Sequence, residues 1–218
     1  MGCNCSEVGL DEVFNARFAR RDARRYRKKG LPARARELVR LIEQNLPIKG
    51  HSTLEGGAGA GALTVELARR GAESALALDA IPYITQFGPA LARDFGVSER
   101  AHFVTADFAN LPADTPAADI VILDRVVCCY PDVDALLGAA TDKATRIVGL
   151  VYPRDIWWNR VVGRLMNAWS WLTRDATRWY LYRTDRVDGI MRRAGFAGRE
   201  VTRDWIWQVV LYRRGSAV

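Results

Sequence analysis

The segment that decides the fold is LEGGAGAGALTVELARRGA, residues 54–72. An apolar run leads into Glu55, and glycines stand at 56, 57, 59 and 61 before a helix-like run. Glycine permits backbone conformations that other residues avoid, and it lets a ligand approach the main chain closely. The first amide groups of a helix are also free to bind a ligand. The segment therefore predicts a strand, a ligand-binding turn and a helix.

Short apolar runs and helix-like segments alternate along the chain after His51. The apolar runs cover residues 52–55, 75–79, 101–105, 119–124 and 145–152, and helix-like segments cover about 60–70, 81–95, 132–140, 156–172 and 184–194. Two further strands are predicted in GFAGREVTRDWIWQVVLYRR, close to the C-terminus. Such alternation is typical of a parallel sheet with helices on both faces. We therefore expect a doubly wound α/β domain over residues 51–218.

The first 50 residues are expected to form two helices. The pattern over residues 10–29 predicts a helix with Asp11 as its N-cap and Gly30 as its end. Pro32 fits the first turn of a second helix, which Pro47 ends. We expect residues 1–50 to be a helical lid on the α/β domain.

The net charge of +7 is unevenly distributed. Residues 1–50 carry 12 Lys/Arg and 6 Asp/Glu, residues 51–150 carry 7 and 13, and residues 151–218 carry 13 and 6. Basic flanks are compatible with an anionic partner such as RNA, and equally with the solvated surface of an Arg-rich chain. The polar beginning and the lack of an uncharged apolar run of about 18 residues predict a cytoplasmic protein with no signal peptide or membrane span.

The spacing of the glycines separates two kinds of nucleotide ligand. Gly57, Gly59 and Gly61 alternate, whereas the dinucleotide fingerprint is Gly-x-Gly-x-x-Gly, with Ala62 at its third position here. Glu55 is unsuited to a pyrophosphate and suits a cationic ligand such as an ammonium or a sulfonium. The residues favour a cationic cofactor, and a nicotinamide oxidoreductase is the alternative.

Four segments in order resemble the motifs of class I S-adenosylmethionine-dependent methyltransferases. They are EGGAGAG at 55–61, ALALDA ending at Ala80, HFVTADF ending at Phe108, and ADIVILDRVV at 118–127. The resemblance covers about residues 50–215. It implies a Rossmann-like seven-stranded sheet, mostly parallel with an antiparallel C-terminal strand, and S-adenosylmethionine as the cofactor.

The resemblance also implies roles for individual residues. Asp79 resembles the carboxylate that accepts both ribose hydroxyls, and Asp107 with Phe108 resembles the adenine contacts. The cofactor-binding residues that it implies are Glu55, Gly57, Gly59, Gly61, Asp79, Ala80, Asp107, Phe108, Asp124 and Arg125. Purely structural roles remain open, because either aspartate could cap a helix or turn and the glycines could serve close packing.

The segment LDRVVCCYPD, residues 123–132, resembles the acceptor side of magnesium-protoporphyrin O-methyltransferases. Tyr130 and Pro131 match that group, Cys129 stands where the group has histidine, and Tyr26 falls near a lid tyrosine. The resemblance implies Tyr130, Cys129 and Tyr26 as catalytic residues on the acceptor side. Because Cys129 departs from the pattern, the porphyrin substrate is not carried over.

The four cysteines form two close pairs, Cys3/Cys5 and Cys128/Cys129, which is not a disulfide framework for a chain of this size. Small buried apolar side chains, a catalytic thiol, and a site for a thiophilic metal or metalloid such as arsenite all remain open for them. No resident metal site is assigned.

Residues 156–180 contain five of the seven tryptophans. Trp158, Val161, Val162, Leu165, Met166 and Trp169 recur there at helical spacing. Three explanations remain open: packing in the core, an aromatic pocket for a flat substrate, and contact of a helix with a membrane surface.

The favoured function is methyl transfer to a small-molecule acceptor, flat or anionic, with most of the rate coming from proximity and alignment. An RNA methyltransferase is the alternative that the basic flanks suggest. The Asn/Asp-Pro-Pro-Tyr/Phe motif of adenine amino-methylation is missing, since DRVVCCYP follows the fourth strand. A methyltransferase that handles a thiophilic metalloid is a further alternative, and the oligomeric state is open.

Overall fold

The computed structural model describes residues 15–82, 86–112, 114–173 and 178–215. The strands are β1 Ser52–Gly56, β2 Ser74–Asp79, β3 Ala101–Thr105, β4 Ala118–Asp124, β5 Ala144–Pro153, β6 Phe196–Arg203 and β7 Trp207–Arg214. The helices are α1 Ala16–Lys29, α2 Ala33–Asn45, α3 Ala62–Arg69, α4 Gly88–Asp94, α5 Val133–Lys143, α6 Trp157–Leu172 and α7 Thr184–Arg193. Short 3₁₀ turns occupy Phe108–Asn110 and Val127–Cys129.

The strands form one seven-stranded sheet in the order β3-β2-β1-β4-β5-β7-β6. Strand β7 is antiparallel to both of its neighbours, and the first five strands pair in parallel. The Rossmann-like prediction is therefore confirmed. The strand order reverses between β1 and β4, and a ligand of this fold binds beyond the carboxyl ends of the strands at such a point.

Helices cover both faces of the sheet and explain why the strands are apolar on both sides. One buried cluster joins α2, α3 and α4 to the sheet, and the other joins α5 and α7 to the opposite face. Ile120 and Ile122 of β4 point into the first cluster, and Val121 and Leu123 point into the second. In the described ranges, no helix combines the length and hydropathy needed to cross a bilayer.

Helix α1 begins at Ala16, later in the chain than the expected helix over residues 10–29. The Asn15 Oδ1 atom accepts hydrogen bonds from the amides of Arg17 at 3.0 Å and Phe18 at 3.2 Å. These bonds satisfy free amides of the first turn and make Asn15 the N-cap. The predicted cap, Asp11, lies outside the described residues. Gly30 ends the helix, as expected, with φ +68°.

Helix α2 packs on one face of the sheet of the α/β domain. Leu38, Val39 and Ile42 are fully buried in the cluster that α2 shares with the sheet. A Cβ atom added to Gly149 of β5 would lie 2.8 Å from a methyl carbon of Leu38, so the helix packs directly on the strand. The described residues before residue 50 that line the cavity described below are Phe18 and Asp22 of α1, Leu31 and Pro32 just before α2, and Ala35 of α2.

Candidate active site

A cavity of about 560 Å³ lies at the carboxyl ends of β1, β2 and β4. This volume falls within the range of about 300–1,000 Å³ that is usual for small-molecule sites. The glycine turn, Asp79 and Phe108 line one half of the cavity, and residues of α1, α6 and the β6–β7 hairpin line the other half. The two halves form one continuous cavity, and Asp124 and Arg125 also line it.

The turn after β1 depends on left-handed backbone at its glycines. Gly57, Gly59 and Gly61 have φ values of +66°, +56° and +76°. The amides of Gly57 and Ala58 both donate to the Leu78 carbonyl, at 2.8 and 3.2 Å, which fixes the turn against β2. A Cβ atom on Gly57 would lie 2.4 Å from Val126. Gly57 and Gly59 line the cavity, whereas Gly61 forms the start of α3 and does not.

Glu55 is buried in the cavity wall. Its carboxylate accepts a short hydrogen bond from the Thr64 hydroxyl. The pKa of Glu55 is raised to about 8, chiefly by burial and also by the nearby carboxylates of Asp124 and Asp79, while the hydrogen bonds from Thr64 lower it. A cation bound beside Glu55 would favour its charged form.

Asp79 ends β2 and faces the glycine turn. Its carboxylate accepts from the amides of Gly59 and Ile81, both at 2.9 Å. Burial raises the pKa of Asp79, and these two bonds lower it. Asp79 therefore has the capping role that the sequence left open, and it also lines the cavity beside Ala80. Each carboxylate oxygen can accept a further bond, from a hydroxyl group for example.

Asp107 caps the turn at Phe108–Asn110 and does not line the cavity. Its carboxylate accepts from the Ala109 amide at 3.2 Å and from the Asn110 side chain at 2.7 Å. The Tyr130 hydroxyl lies 3.1 Å from both carboxylate oxygens. Phe108 and Tyr130 themselves line the cavity. Asp107 therefore stabilises two residues of the cavity wall without lining the cavity itself.

Asp124 and Arg125 lie where β4 ends. Arg125 is the one residue other than glycine with positive φ, at 62°, in the ranges that the structure describes. Its Nε atom is 3.3 Å from the Asp124 carboxylate. Asp22 of α1 also interacts with Arg125, which lowers the Asp22 pKa against the larger raising effect of burial. Charged groups of α1 and of the end of β4 thus interact at the cavity.

Cys128 and Cys129 follow in the next turn, with their sulfur atoms 3.8 Å apart. Both cysteines line the cavity together with Tyr130. The hydrogen bond between the two thiols lowers the pKa of Cys129, and the positive charge of Arg125 contributes to this lowering. The same hydrogen bond, together with burial, raises the pKa of Cys128. Cys129 is therefore the more acidic thiol, and the cysteines are not simply core residues.

Apolar side chains of α6 and the hairpin form the far wall. Val162 and Met166 of α6 face Ile206 and Trp207 of the hairpin, together with Trp179. Trp179 is fixed from two sides, because its amide donates to the Asn167 side chain at 2.8 Å and the Tyr180 amide donates to the Cys128 carbonyl at 2.8 Å. The wall is suited to a flat or apolar molecule.

The helical repeat of apolar residues in α6 does not pack in the core. Its predicted members Val161, Val162, Leu165, Met166 and Trp169 are all exposed. The helix is instead held through Asn159 and Gly163, its buried residues. Asn159 donates to the carbonyls of Arg154 and Ile206, both at 2.8 Å, and the missing side chain of Gly163 makes room for Trp179.

The structure does not bring Tyr26 to the cavity. Tyr26 is buried between α1 and α3, where its hydroxyl donates to Glu66 at 2.8 Å and its ring packs on Phe95 with centroids 5.1 Å apart. This places it as a tether of α1 rather than on the acceptor side. Cys3 and Cys5 lie outside the described residues. Among the residues that the structure describes, no group of three or more His, Cys, Asp or Glu side chains could hold a metal ion.

Two charged wall residues, Asp22 and Arg178, were missed by the sequence reasoning. Asp22 had a usable signal, since it is the single acid between Arg17 and Lys29 and follows Phe18 by one helical turn. The sequence contained no such signal for Arg178, because the position of Arg178 depends on the path of the chain after α6. Both bring charge to a wall that is otherwise largely apolar.

The glycine half of the cavity fits a nucleoside ligand with a positive charge. The carboxylates of Glu55, Asp79 and Asp124 line it. Phe108 offers an apolar surface for a base, and Asp79 offers acceptors for hydroxyl groups. The chemistry of these groups is that of a site for S-adenosylmethionine.

Comparisons with known proteins agree with this geometry. Residues 53–145 match a family model described as a methyltransferase domain, and no curated protein matches the chain. Magnesium protoporphyrin IX methyltransferase from Synechocystis PCC 6803 with bound SAH has a similar structure, with a TM-score of 0.68 and 19% identity over 83% of this chain and 82% of that chain.

Two further solved structures share the fold. An O-methyltransferase family protein from Burkholderia thailandensis has a TM-score of 0.64 and 16% identity over 84% of this chain and 59% of its own. The pyocyanin biosynthetic protein PhzM has a TM-score of 0.56 and 20% identity over 80% of this chain and 53% of its own.

Proposed function

We propose that this protein is a class I S-adenosylmethionine-dependent methyltransferase that methylates a small, flat and partly apolar acceptor. Residues 53–145 match a model of a methyltransferase domain, and the chain shares the fold of a methyltransferase solved with bound SAH. One observation carries the proposal: a single cavity joins a half lined by carboxylates to a half lined by apolar and aromatic side chains. The first half suits the charged cofactor, and the second suits the acceptor.

When bound, S-adenosylmethionine supplies a methyl group on a positively charged sulfur. Asp79 would hold the ribose hydroxyls, Phe108 would pack on the adenine, and Glu55 would balance the positive charge. Trp179 and Trp207 would hold the acceptor flat against the strand ends. The contribution of the protein to the rate is then mainly alignment of the acceptor with the methyl group.

Two kinds of support favour a flat acceptor with an anionic group. Arg125 and Arg178 both line the cavity, and their positive charges favour an anionic group nearby. Two proteins with a similar fold are named for magnesium protoporphyrin IX and for pyocyanin biosynthesis. We propose that α1, which contributes Phe18 and Asp22 to the wall, acts as the lid over such an acceptor.

Calorimetry and mass spectrometry test the proposal. We expect S-adenosylmethionine and S-adenosylhomocysteine to bind and NAD not to bind. Incubation with S-adenosylmethionine carrying an isotopically labelled methyl group and a host metabolite extract should then label a small molecule. NAD binding without S-adenosylmethionine binding would contradict the cofactor, and label found only in RNA would contradict the acceptor class.

RNA is the second candidate acceptor, because Arg17, Arg20, Arg21 and Arg24 of α1 line one basic recess. Binding to RNA would weaken steeply with added salt, since it would release counterions. A thiophilic metalloid is the third candidate, on the 3.8 Å separation of the Cys128 and Cys129 sulfur atoms. Labelled methyl arsenicals after incubation with arsenite would favour that acceptor over a flat metabolite.

A further inference from the structure

Helix α6 has its apolar side towards solvent, which is the reverse of an ordinary surface helix. Trp157, Val161, Leu165, Trp169 and Leu172 recur at intervals of three or four residues and share one side of the helix. Trp157, Leu165 and Trp169 are 71, 66 and 67% exposed. Since the helix packs on the domain through Asn159 and Gly163, this apolar side has no partner within the described residues.

The loop between β6 and β7 extends the same surface. Trp205 is 82% exposed, and its ring lies 6.2 Å from the ring of Trp158 on α6. The Trp158 indole also donates to the Trp205 carbonyl at 3.3 Å. We call the exposed set of Trp157, Val161, Leu165, Trp169, Leu172 and Trp205 the tryptophan face.

The tryptophan face borders the mouth of the active-site cavity. Val162 and Met166 lie beside it on α6, and both are exposed while lining the cavity. On another side of the same cavity lies α1, whose Phe18 also lines the wall. An apolar surface and a strongly basic helix thus flank one opening.

The basic side of α1 has few counterions of its own. Arg17, Arg20, Arg21 and Arg24 line one recess, and in the described part of the chain none of them forms an ion pair with an acidic side chain. Lysine and arginine near an anionic surface are attracted to it over about a Debye length.

We propose that the tryptophan face and the basic side of α1 dock the protein on the surface of an anionic lipid bilayer. Tryptophan favours the boundary between hydrocarbon and water, and an exposed helix side of Trp, Leu and Val is typical of interfacial helices. The adjoining arginines match negative lipid headgroups. Aliphatic side chains such as Leu165 and Leu172 would not stack on bases, so RNA fits this surface less well.

Docking in this orientation opens the cavity towards the bilayer. An acceptor dissolved in the membrane would then pass between Val162, Met166 and Ile206 into the apolar half of the site. This second step rests on the proposed function and narrows the acceptor to an amphiphilic, membrane-soluble molecule. The docking itself needs no methyl transfer.

Sedimentation with vesicles tests the docking with the full chain. We expect it to sediment with vesicles of phosphatidylcholine and phosphatidylglycerol at low salt, less at high salt, and weakly with phosphatidylcholine alone. Leu165→Gln/Trp169→Gln should lower the partition coefficient about tenfold or more, because the apolar contact is lost. Arg20→Ser/Arg24→Ser should lower binding to the anionic vesicles only.

A matched control and a separate binding measurement keep the outcomes distinct. Val104 is exposed on the edge strand β3, away from the tryptophan face, and Val104→Thr should bind vesicles as the wild type does. All variants should bind S-adenosylmethionine normally, which shows that they are folded. Failure of cofactor binding in the wild type would refute the proposed function without affecting vesicle binding.

Three results would overturn the docking proposal. The first is a wild-type chain that stays in the supernatant with anionic vesicles. The second is a Leu165→Gln/Trp169→Gln variant that sediments as well as the wild type. The third is light scattering that shows a wild-type dimer and a monomeric variant, because a second copy of the chain would then cover the tryptophan face.

Discussion

The hydroxyl of Tyr130 is shared between the two carboxylate oxygens of Asp107, at 3.1 Å from each. The contact joins the segment after β4 to the turn after β3. The resemblance to the porphyrin enzymes implied a role for Tyr130 towards the acceptor. In the structure its hydroxyl bonds to the residue expected near the adenine, which suggests a role in ordering the cofactor half of the cavity.

Tyr130→Phe should therefore act mainly on cofactor binding. We expect the affinity for S-adenosylmethionine to fall about three- to tenfold, since a hydrogen bond to a charged group is lost, at a cost of roughly 1 kcal/mol. Turnover at saturating cofactor should change by less than about threefold. Calorimetry and steady-state kinetics with one working acceptor measure the two effects.

Tyr180→Phe is the matched control, because it removes the same oxygen from a tyrosine ring that stacks on Tyr182 outside the cavity wall. It should leave the affinity for the cofactor unchanged. If Tyr130→Phe instead lowers turnover tenfold with normal cofactor affinity, the tyrosine acts on the acceptor.

Glu55 should make cofactor binding depend on pH. With a pKa raised by burial to about 8, it is mostly protonated at neutral pH, and a cation beside it would favour loss of that proton. Binding of S-adenosylmethionine at pH 7 should thus release a proton that Glu55→Gln does not release. Calorimetry in two buffers of different ionisation enthalpy gives the number of protons, and Glu73→Gln on the surface is the control.

Glu55 should also make the stability of the ligand-free protein depend on pH. Between the ordinary pKa of 4.5 and the folded value of about 8, the unfolded chain has lost a proton that the folded chain keeps. The free energy of unfolding from this group therefore falls as pH rises through that window. Urea unfolding should show Glu55→Gln gaining stability relative to the wild type across the window, and a constant difference would argue against the raised pKa.

The strand–helix alternation was sufficient to predict the sheet, because the parallel strands are buried on both faces and therefore apolar throughout. The glycine turn and Asp79 were predictable for a related reason, since their roles depend on local sequence. The packing of α6 was not predictable. A repeat of apolar residues indicates a helix with one apolar side, but whether that side faces the core depends on Asn159 and Gly163, which hold the helix by its other side. Tyr26 illustrates the same limit, since its partner Glu66 is 40 residues away.

Cys129 should be the reactive member of the thiol pair. Its pKa is lowered and it is partly exposed, whereas Cys128 is buried with a raised pKa. We expect iodoacetamide to alkylate Cys129 well before Cys128, as peptide mass mapping would show. Phenylarsine oxide should bridge the wild-type pair, with two As–S bonds formed and the oxide oxygen leaving as water with the two thiol protons, and either single serine variant should bind it much more weakly. Equal alkylation of both thiols would contradict the difference in pKa.

Gly57→Ala should cost more than the strain of its backbone. Gly50 has φ +78° with nothing within 4 Å of an added Cβ, so that Gly50→Ala measures strain alone, about 1 kcal/mol. In Gly57→Ala the new methyl group also meets Val126 at 2.4 Å, and overpacking adds roughly 1–3 kcal/mol. Urea unfolding should rank the two variants in that order, and S-adenosylmethionine binding should be lost only in Gly57→Ala. Equal losses of stability would mean that Val126 moves aside freely.

Arg125 combines a strained backbone with a charged side chain in the cavity, and two substitutions test what the charge contributes to turnover. Its φ of 62° costs a non-glycine residue about 1 kcal/mol, so Arg125→Gly should keep or slightly raise the free energy of unfolding even though its contact with Asp124 is lost. We expect turnover in Arg125→Gly to fall about tenfold or more through loss of the charge at the acceptor, equivalent to ~1.4 kcal/mol of barrier. Arg125→Lys keeps the strain and the charge and should retain most of the activity towards an anionic acceptor. Normal turnover in Arg125→Gly would show that the arginine serves only to balance Asp124 and Asp22.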